Sequence, residues 1–461
     1  MTGLATRPLH SASPLAGTGA PPSPHAGSSP TLIIEAARVF TGREMVRDAR
    51  IVVVGDTIAA VLPGGAPELR QPDPALDGGS CQTLRFPHGT VLPGLIDAHV
   101  HLALLARAEL RAAHPRRSSR AQDPAADDPL VGAAVRVADA YLARGVTTLR
   151  DMGDRQRVNL EVRQRLRTRA RPGPRVLAPG RALHREGSYG HFFGVAANGV
   201  GELLALAESE LEAGAGFIKV VASGIIDFKR GTADAPLPFS VAELRALVEF
   251  ARWHGVPVAA HASGTAGVAA ALAAGVDTIE HGYFAAEAEL DAFAGGAATW
   301  VPTFIPVQVV AAGAAAAAVG ELSEPERARI HRILERHAAG VGRVVAAGGA
   351  VLAGSDAGSP GVWEAGGIGG ELRCLGQAGL SPASVLASAT RGAARALGID
   401  HLVGSIECGK RADLLVVNGD PVRTLDALRD VRLVLRDGTP VRRLPNRDEL
   451  APERAHRARQ P

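Results

Sequence analysis

Two histidines set two residues apart, His99 and His101, follow Asp97 in the stretch VLPGLIDAHVHL at 91–102. Residues two apart in a β-strand face the same side, so all three side chains would leave one face at the end of an apolar run. Paired neutral imidazoles are an ordinary beginning of a transition-metal site. The other reading is a hydrogen-bonded pair inside a core strand, and this motif alone leaves both open. Further along, Lys219 lies in FIKVV, His261 in AAHAS, His281 in IEHGY and Asp356 in LAGSDAG. Each sits in or just after a short apolar run. An ammonium inside an apolar strand is costly. Either the Lys219 stem is buried and its amine reaches a carboxylate, or the nitrogen is chemically changed. Asp356 stands between the small residues Ser355 and Ala357, which leaves room for a cation or a water.

Eight short apolar runs carry these residues or lie between them: 91–102, 146–153, 175–183, 217–224, 256–263, 277–282, 298–303 and 350–358. The segments between them, such as SVAELRALVEFARWHG at 240–255, have helical spacing, and Ser240 with Glu243 makes a capping-box pattern. Strands alternating with helices predict parallel β/α units, and eight of them predict a (β/α)8 TIM barrel at 91–399. An open doubly wound sheet is the alternative. In such a barrel, chemistry collects at the C-terminal strand ends, where most of these candidates fall. Strand-like runs also occur at 31–90 and 400–445, with Gly-Asp and Asp-Gly turn pairs. They predict a small discontinuous β-domain built from both chain ends. The first 30 residues, rich in Pro, Ser, Gly and Ala, read as a disordered tail, and 446–461 as a C-terminal tail. The Ala-rich stretch 309–321 reads as a helical insertion without functional content.

A net charge of +3 on 461 residues gives no basic face of the kind nucleic acid needs. Cys81, Cys374 and Cys408 are too few and too scattered for a disulfide framework or a zinc finger. No apolar run reaches membrane-spanning length, and the N-terminus lacks a signal-peptide core. A cytoplasmic protein is expected, with no nucleic-acid or membrane partner.

The 91–102 motif resembles the first barrel strand of the metal-dependent amidohydrolase superfamily. More narrowly, it is similar to the imidazolonepropionase-like branch that includes Xaa-Pro dipeptidases, the prolidase-like enzymes. GSIECGKRADLLVVNGDP at 404–421 resembles that family's return into a β-sandwich, with Cys408 where a proline is usual. The resemblance implies an α/β fold, a barrel beside a discontinuous sandwich, and hydrolysis of a C–N amide bond through a metal-bridging hydroxide. The implied metal ligands are His99, His101, Lys219, His261, His281 and Asp356, with Lys219 carboxylated by CO2 to a bridging carbamate. Two cations roughly 3.5–4 Å apart would bring a water's pKa down to near 7. Zinc suits imidazole-rich ligation, though Mn, Fe or Co fit as well. Asp356 is implied as the proton acceptor and His191, in GSYGHFFG, as the group polarising the carbonyl. Tyr283 could face the substrate, and Asp97 and Asp151 are expected to orient the ligands from behind.

A small-molecule amide substrate follows: a dipeptide, an N-acyl amino acid or a cyclic amide. A homo-oligomer is expected. A mononuclear deaminase is disfavoured because Gly264 stands where such enzymes place a glutamate. An imidazolonepropionase-type ring hydrolase and a non-catalytic barrel scaffold are the remaining alternatives; the full ligand set argues against the scaffold. For a dipeptide, Lys229 or Arg230 could meet the free carboxylate, although surface exposure is the simpler account of both.

Overall fold

The structure, a computed structural model, describes residues 30–64, 81–113, 128–233 and 235–444. Both expected tails, residue 30 apart, lie outside these. Four strands open the chain: β1 (Thr31–Phe40), β2 (Met45–Val54), β3 (Thr57–Leu62) and β4 (Cys81–Pro93). Nine follow: β5 (Leu95–Val100), β6 (Val146–Asp151), β7 (Arg175–Leu177), β8 (Ala182–Arg185), β9 (Gly194–Ala197), β10 (Ile218–Val221), β11 (Val258–Ala262), β12 (Thr278–His281) and β13 (Thr299–Val301). Three close it: β14 (Leu414–Asn418), β15 (Val431–Arg436) and β16 (Thr439–Arg443).

The two chain ends make one seven-stranded mixed sheet in the order β16-β15-β14-β4-β1-β2-β3. Only the β1–β4 pair runs parallel. Buried and partly exposed residues alternate along the first half of β1, as a strand with one face on a core requires. Ile34 and Ile51 from one end share an apolar cluster with Leu414, Val416 and Leu433 from the other. Among the described residues, therefore, the expected sandwich is a single hydrogen-bonded sheet whose two wings bury one cluster. Register shifts at Ala36/Arg38 and Val416/Val417 put local bends in it.

The sheet hands over to the barrel strands at Gly94. Its N–H donates to the Asp413 carbonyl at 2.8 Å. A Cβ there would lie 2.2 Å from the Thr147 hydroxyl, so no other residue fits without displacing β6. Asp413 ties the two parts together. Its carboxylate accepts from Arg436 on β15 and from Arg175 on β7, each at 3.0 Å.

The remaining strands pair in parallel, β5-β6-β7 in one run and β13-β12-β11-β10-β8-β9 in another. The third expected strand is split: β7 pairs with β6, while Leu183 of β8 pairs with Val220 of β10. The eighth is reduced to bridges. Val351 meets Trp300 and Ala357 meets Val100, while the Ala98 and Asp356 N–H groups donate to Ala353 and His99 carbonyls at 3.0 and 2.7 Å. A left-handed φ of 51° at Asp356 interrupts a regular ladder there. Helices cover the parallel strands. In the helix Val241–Trp253, the expected capping box forms, with Ser240 Oγ accepting from Glu243 N and Glu243 Oε2 from Ser240 N.

Candidate metal centre and active site

His99 and His101 emerge at the end of β5 with ring centroids 5.4 Å apart. Their Nε2 atoms lie 3.3 and 3.6 Å from Oδ1 of Asp356. One ligand atom from each of these three residues falls within 4.8 Å of the others. The His281 ring is 5.2 Å from His99 and 4.5 Å from His261, so the structure brings all four histidines and Asp356 together. The backbone must come close for this: a Cβ on Gly354 would lie 2.8 Å from the His99 Cβ. His281 itself has φ 71°. Sparsely populated backbone at two neighbouring site residues is the kind of strain found at functional centres.

Lys219 lies in the middle of β10, opposite Ala259 in register, two residues before the Val221–His261 pair. It is 1% exposed, and its Nζ has no hydrogen-bond partner among the described residues. Burial lowers its pKa to about 8, against the pull of Glu280 and Asp356. Burial also lowers His101 to about 4 and His261 to about 3, and takes His281 well below its ordinary value. Neutral imidazole is the form that ligates metals. Burial opposes charging of His99 too, but the carboxylates of Asp356 and Glu280 outweigh it and raise its pKa. Asp356 is the converse: burial would raise it, and His99 and His101 bring it down.

A buried ion pair supports the centre from behind. Glu280 Oε2 lies 2.8 Å from His99 Nδ1, and Oε1 accepts from Arg150 at 2.7 Å and from Thr278 at 2.7 Å. Arg150 also donates to the Ala98 carbonyl at 2.7 Å. Arg150 holds Glu280 well below the usual carboxylate range despite complete burial. With Glu280 ionised, His99 Nδ1 carries the proton and Nε2 is left as the ligand atom. Asp97 accepts from Ser355 N and Oγ at 2.9 and 2.6 Å, fixing the turn that carries Asp356. Asp151 accepts from Leu102 N and Gly153 N, both at 2.8 Å, fixing the backbone after His101. His101 Nδ1 lies 3.1 Å from the Gly153 carbonyl, and His281 Nδ1 lies 2.8 Å from Thr303 Oγ1. These residues fit divalent cations: three rings that burial keeps neutral, His99 with its Nδ1 tied back to Glu280 and its Nε2 facing Asp356, an ionised carboxylate, and an orphaned buried amine beside them.

A cavity of about 140 Å³ opens onto His261, His281 and Asp356. Tyr283 lines it, its hydroxyl donating to the Thr303 carbonyl at 2.9 Å. The structure does not bring His191 there. His191 is exposed and lines a separate depression with Arg155, Arg181 and His184. Gly190, at φ 118°, turns the chain between it and Tyr189, and it is Tyr189 whose ring lies 4.9 Å from His261. Burial, with the Asp356 charge second, raises the Tyr189 pKa, so its phenol stays a neutral donor. The Ala-rich 309–321 stretch is not without a place at the site either. It forms the end of helix Phe304–Ala311 and the short helix Ala316–Val319, and Val310, Ala315 and Val319 face the cavity. The expectation of no functional content therefore does not hold for Val310, Ala315 and Val319, which line the cavity over the ligands. Lys229 and Arg230 are exposed, Arg230 paired with Asp227 at 3.7 Å.

Among the described residues, no helix is long and apolar enough to cross a membrane, and all three cysteines are free. The chain is 29% identical to an uncharacterized protein of Mycobacterium tuberculosis over 357 residues, 77% of this chain and 85% of that one. It is 24% identical to ochratoxinase of Aspergillus niger over 371 residues, 75% and 73% of the two chains. The solved structure of a Xaa-Pro dipeptidase with methionine bound in its active site superposes with a TM-score of 0.72 at 25% identity, covering 89% of this chain and 99% of that one. Amidohydrolase neighbours of this kind imply a TIM barrel with an additional domain. The amidohydrolase family profile matches residues 90–442, and with the strand-end histidines and Asp356 gathered as above, the chain belongs to the amidohydrolase family, as a hydrolase acting on amide bonds.

Proposed function

We propose that the chain hydrolyses a C–N amide bond of a small molecule at a two-metal centre on a (β/α)8 barrel. His99, His101, His261, His281 and Asp356 would hold two divalent cations, zinc being the best match to imidazole-rich ligation, with Lys219 bridging them as a carbamate. The observation that carries this reading is Lys219 Nζ: fully buried, without a hydrogen-bond partner among the described residues, and near enough to Asp356, His101, His261 and His281 for their charges to interact. A bare ammonium there is desolvated and would repel a cation. A pKa near 8 leaves a fraction of free amine able to add CO2.

When bound, the cations supply Lewis acidity, which makes water acidic enough to deprotonate near neutral pH. The chain's own groups do the rest. Asp356, ionised and held by Ser359 Oγ at 3.1 Å, accepts a proton from the attacking water and returns it to the leaving nitrogen. Tyr189, rather than His191, donates to the substrate carbonyl oxygen in this reading. Tyr283 contributes its ring to the wall. Glu280 and Asp97 keep His99 and the Asp356 turn in position.

The test is metal analysis of the purified protein together with hydrolysis of a panel of amides, and ¹³C NMR after equilibration with ¹³CO2. Two equivalents of metal, turnover and a carbamate signal absent in Lys219→Ala support the proposal. One equivalent of metal, held by the close His99–His101–Asp356 group alone, would favour a mononuclear mechanism.

A further inference from the structure

The walls of the cavity over the metal ligands suggest what the substrate is made of. Above His261, His281 and Asp356 they are apolar on two sides. Ile225, Ile226 and Phe228 come from the loop after β10, and Pro306, Val310 and Val319 from the helices of 304–319. Among the described residues lining it there is no lysine or arginine. The two cations that could have met a free substrate carboxylate, Lys229 and Arg230, are not among its lining residues. Arg230 is paired with Asp227. Lys229 is exposed, with its ammonium 3.7 Å from where a Cβ on Gly320 would stand, outside the lining.

We infer, on the amide-hydrolase reading above, that the substrate is an uncharged, apolar amide such as an acyl anilide, and not a dipeptide or an N-acyl amino acid with a free carboxylate. A carboxylate brought against Ile226, Phe228 and Val310 loses water and gains no partner. An alkyl or aryl group gains instead, by about fourfold in affinity for each methylene that the walls bury. Ile225, 48% exposed, also lines the cavity and extends its apolar wall toward solvent.

The experiment uses the metal-loaded enzyme with acyl anilides of rising acyl length, with Phe-Pro, and with N-acetylphenylalanine. Calorimetry with non-hydrolysable ketone isosteres, one neutral and one carboxylated, runs alongside. The expected kcat/KM is at least about 10²-fold higher for the anilides, rising three- to fourfold per methylene until the cavity fills, and the neutral isostere binds more tightly. Ile225→Arg should narrow the preference by offering a carboxylate a partner, and Lys229→Ala should change neither class. If Phe-Pro or N-acetylphenylalanine is the better substrate, or the carboxylated isostere binds more tightly, the inference is overturned while amide hydrolysis stands. If no amide is cleaved at all, the amide-hydrolase reading fails, and the calorimetric preference still decides the cavity's ligand class. Failure of both isosteres to bind overturns the cavity as the substrate site.

Discussion

Replacing Glu280 by Gln keeps the side chain's shape and removes its charge, which isolates what that carboxylate does. Glu280 accepts hydrogen bonds at both carboxylate oxygens, whereas an amide can accept at only one end. Arg150 donates to Oε1 at 2.7 Å, and the His99 Nδ1–H faces Oε2 at 2.8 Å. An amide has one acceptor end. If its oxygen faces Arg150, its NH2 faces His99 Nδ1, which must then accept and move the ring proton to Nε2, the atom aimed at Asp356. If the amide flips, its NH2 meets the guanidinium. In either orientation Arg150, with a side chain only 4% exposed, loses its counter-charge. Breaking a buried pair costs about 3–5 kcal/mol, and the retained hydrogen bond puts Glu280→Gln near the lower figure. At about 2.1 cal/mol/K per residue, a chain of 461 residues melts with an entropy of about 1 kcal/mol/K, so the melting temperature should fall by about 3 °C. Loss of the carboxylate behind His99 should also weaken metal binding by about 10–100-fold. Calorimetric melting of apo and metal-loaded protein, with titration of Zn²⁺ against a competing chelator, reads both effects. Wild-type metal affinity in a variant that melts 3 °C lower would refute the coupling of Glu280 to the centre through His99.

Tyr189→Phe should lower kcat by about 10²-fold with metal content unchanged, the usual loss when one oxyanion donor is removed, whereas His191→Ala should stay within about twofold; the reverse ranking would restore His191 to the site. Asp413→Asn should destabilise the fold by about 3–5 kcal/mol at neutral pH. Burial alone would raise the Asp413 pKa, but Arg436 and Arg175 bring it below its ordinary value. Its stabilisation is therefore complete above the unfolded carboxylate pKa of about 3.9 and is lost as pH falls through the folded value. Urea unfolding at several pH values should show the deficit of the variant shrinking below about pH 4; a deficit constant down to pH 2 would deny that the carboxylate charge is what matters. Gly354→Ala places a methyl 2.6 Å from Val301 Cγ1 and 2.8 Å from the His99 Cβ. It should cost about 1–3 kcal/mol and reduce metal occupancy although no ligand is changed.

How far the sequence could be read followed from how local each signal was. His99, His101, His261, His281 and Lys219 lie in or at the ends of short apolar runs, where the two-residue strand period fixes direction, and the structure brings them together with Asp356. The Ser240–Glu243 capping box is a four-residue pattern and formed as expected. Arg150 and Glu280 were passed over, because a charge at a strand end looks like a solvated terminus until the neighbouring strand is known, and their pairing spans 130 positions. That Tyr189 rather than His191 lies beside His261 depends on the left-handed turn at Gly190, which changes the facing of residues on either side of it and leaves no periodic trace. The eighth strand kept its place, but small residues and the φ of Asp356 left it as bridges rather than a ladder.

The central claim is a lysine carboxylated between two metals, and Lys219→Ala tests it most directly. Metal analysis of wild type and variant, purified in parallel with bicarbonate and Zn²⁺ present, should give two equivalents in the wild type and at most one in the variant. Turnover should fall to near background while circular dichroism is unchanged, and added short carboxylates should partly restore activity by standing in for the carbamate. If Lys219→Ala retains two metals and the wild-type rate, the two-metal carbamate account is wrong.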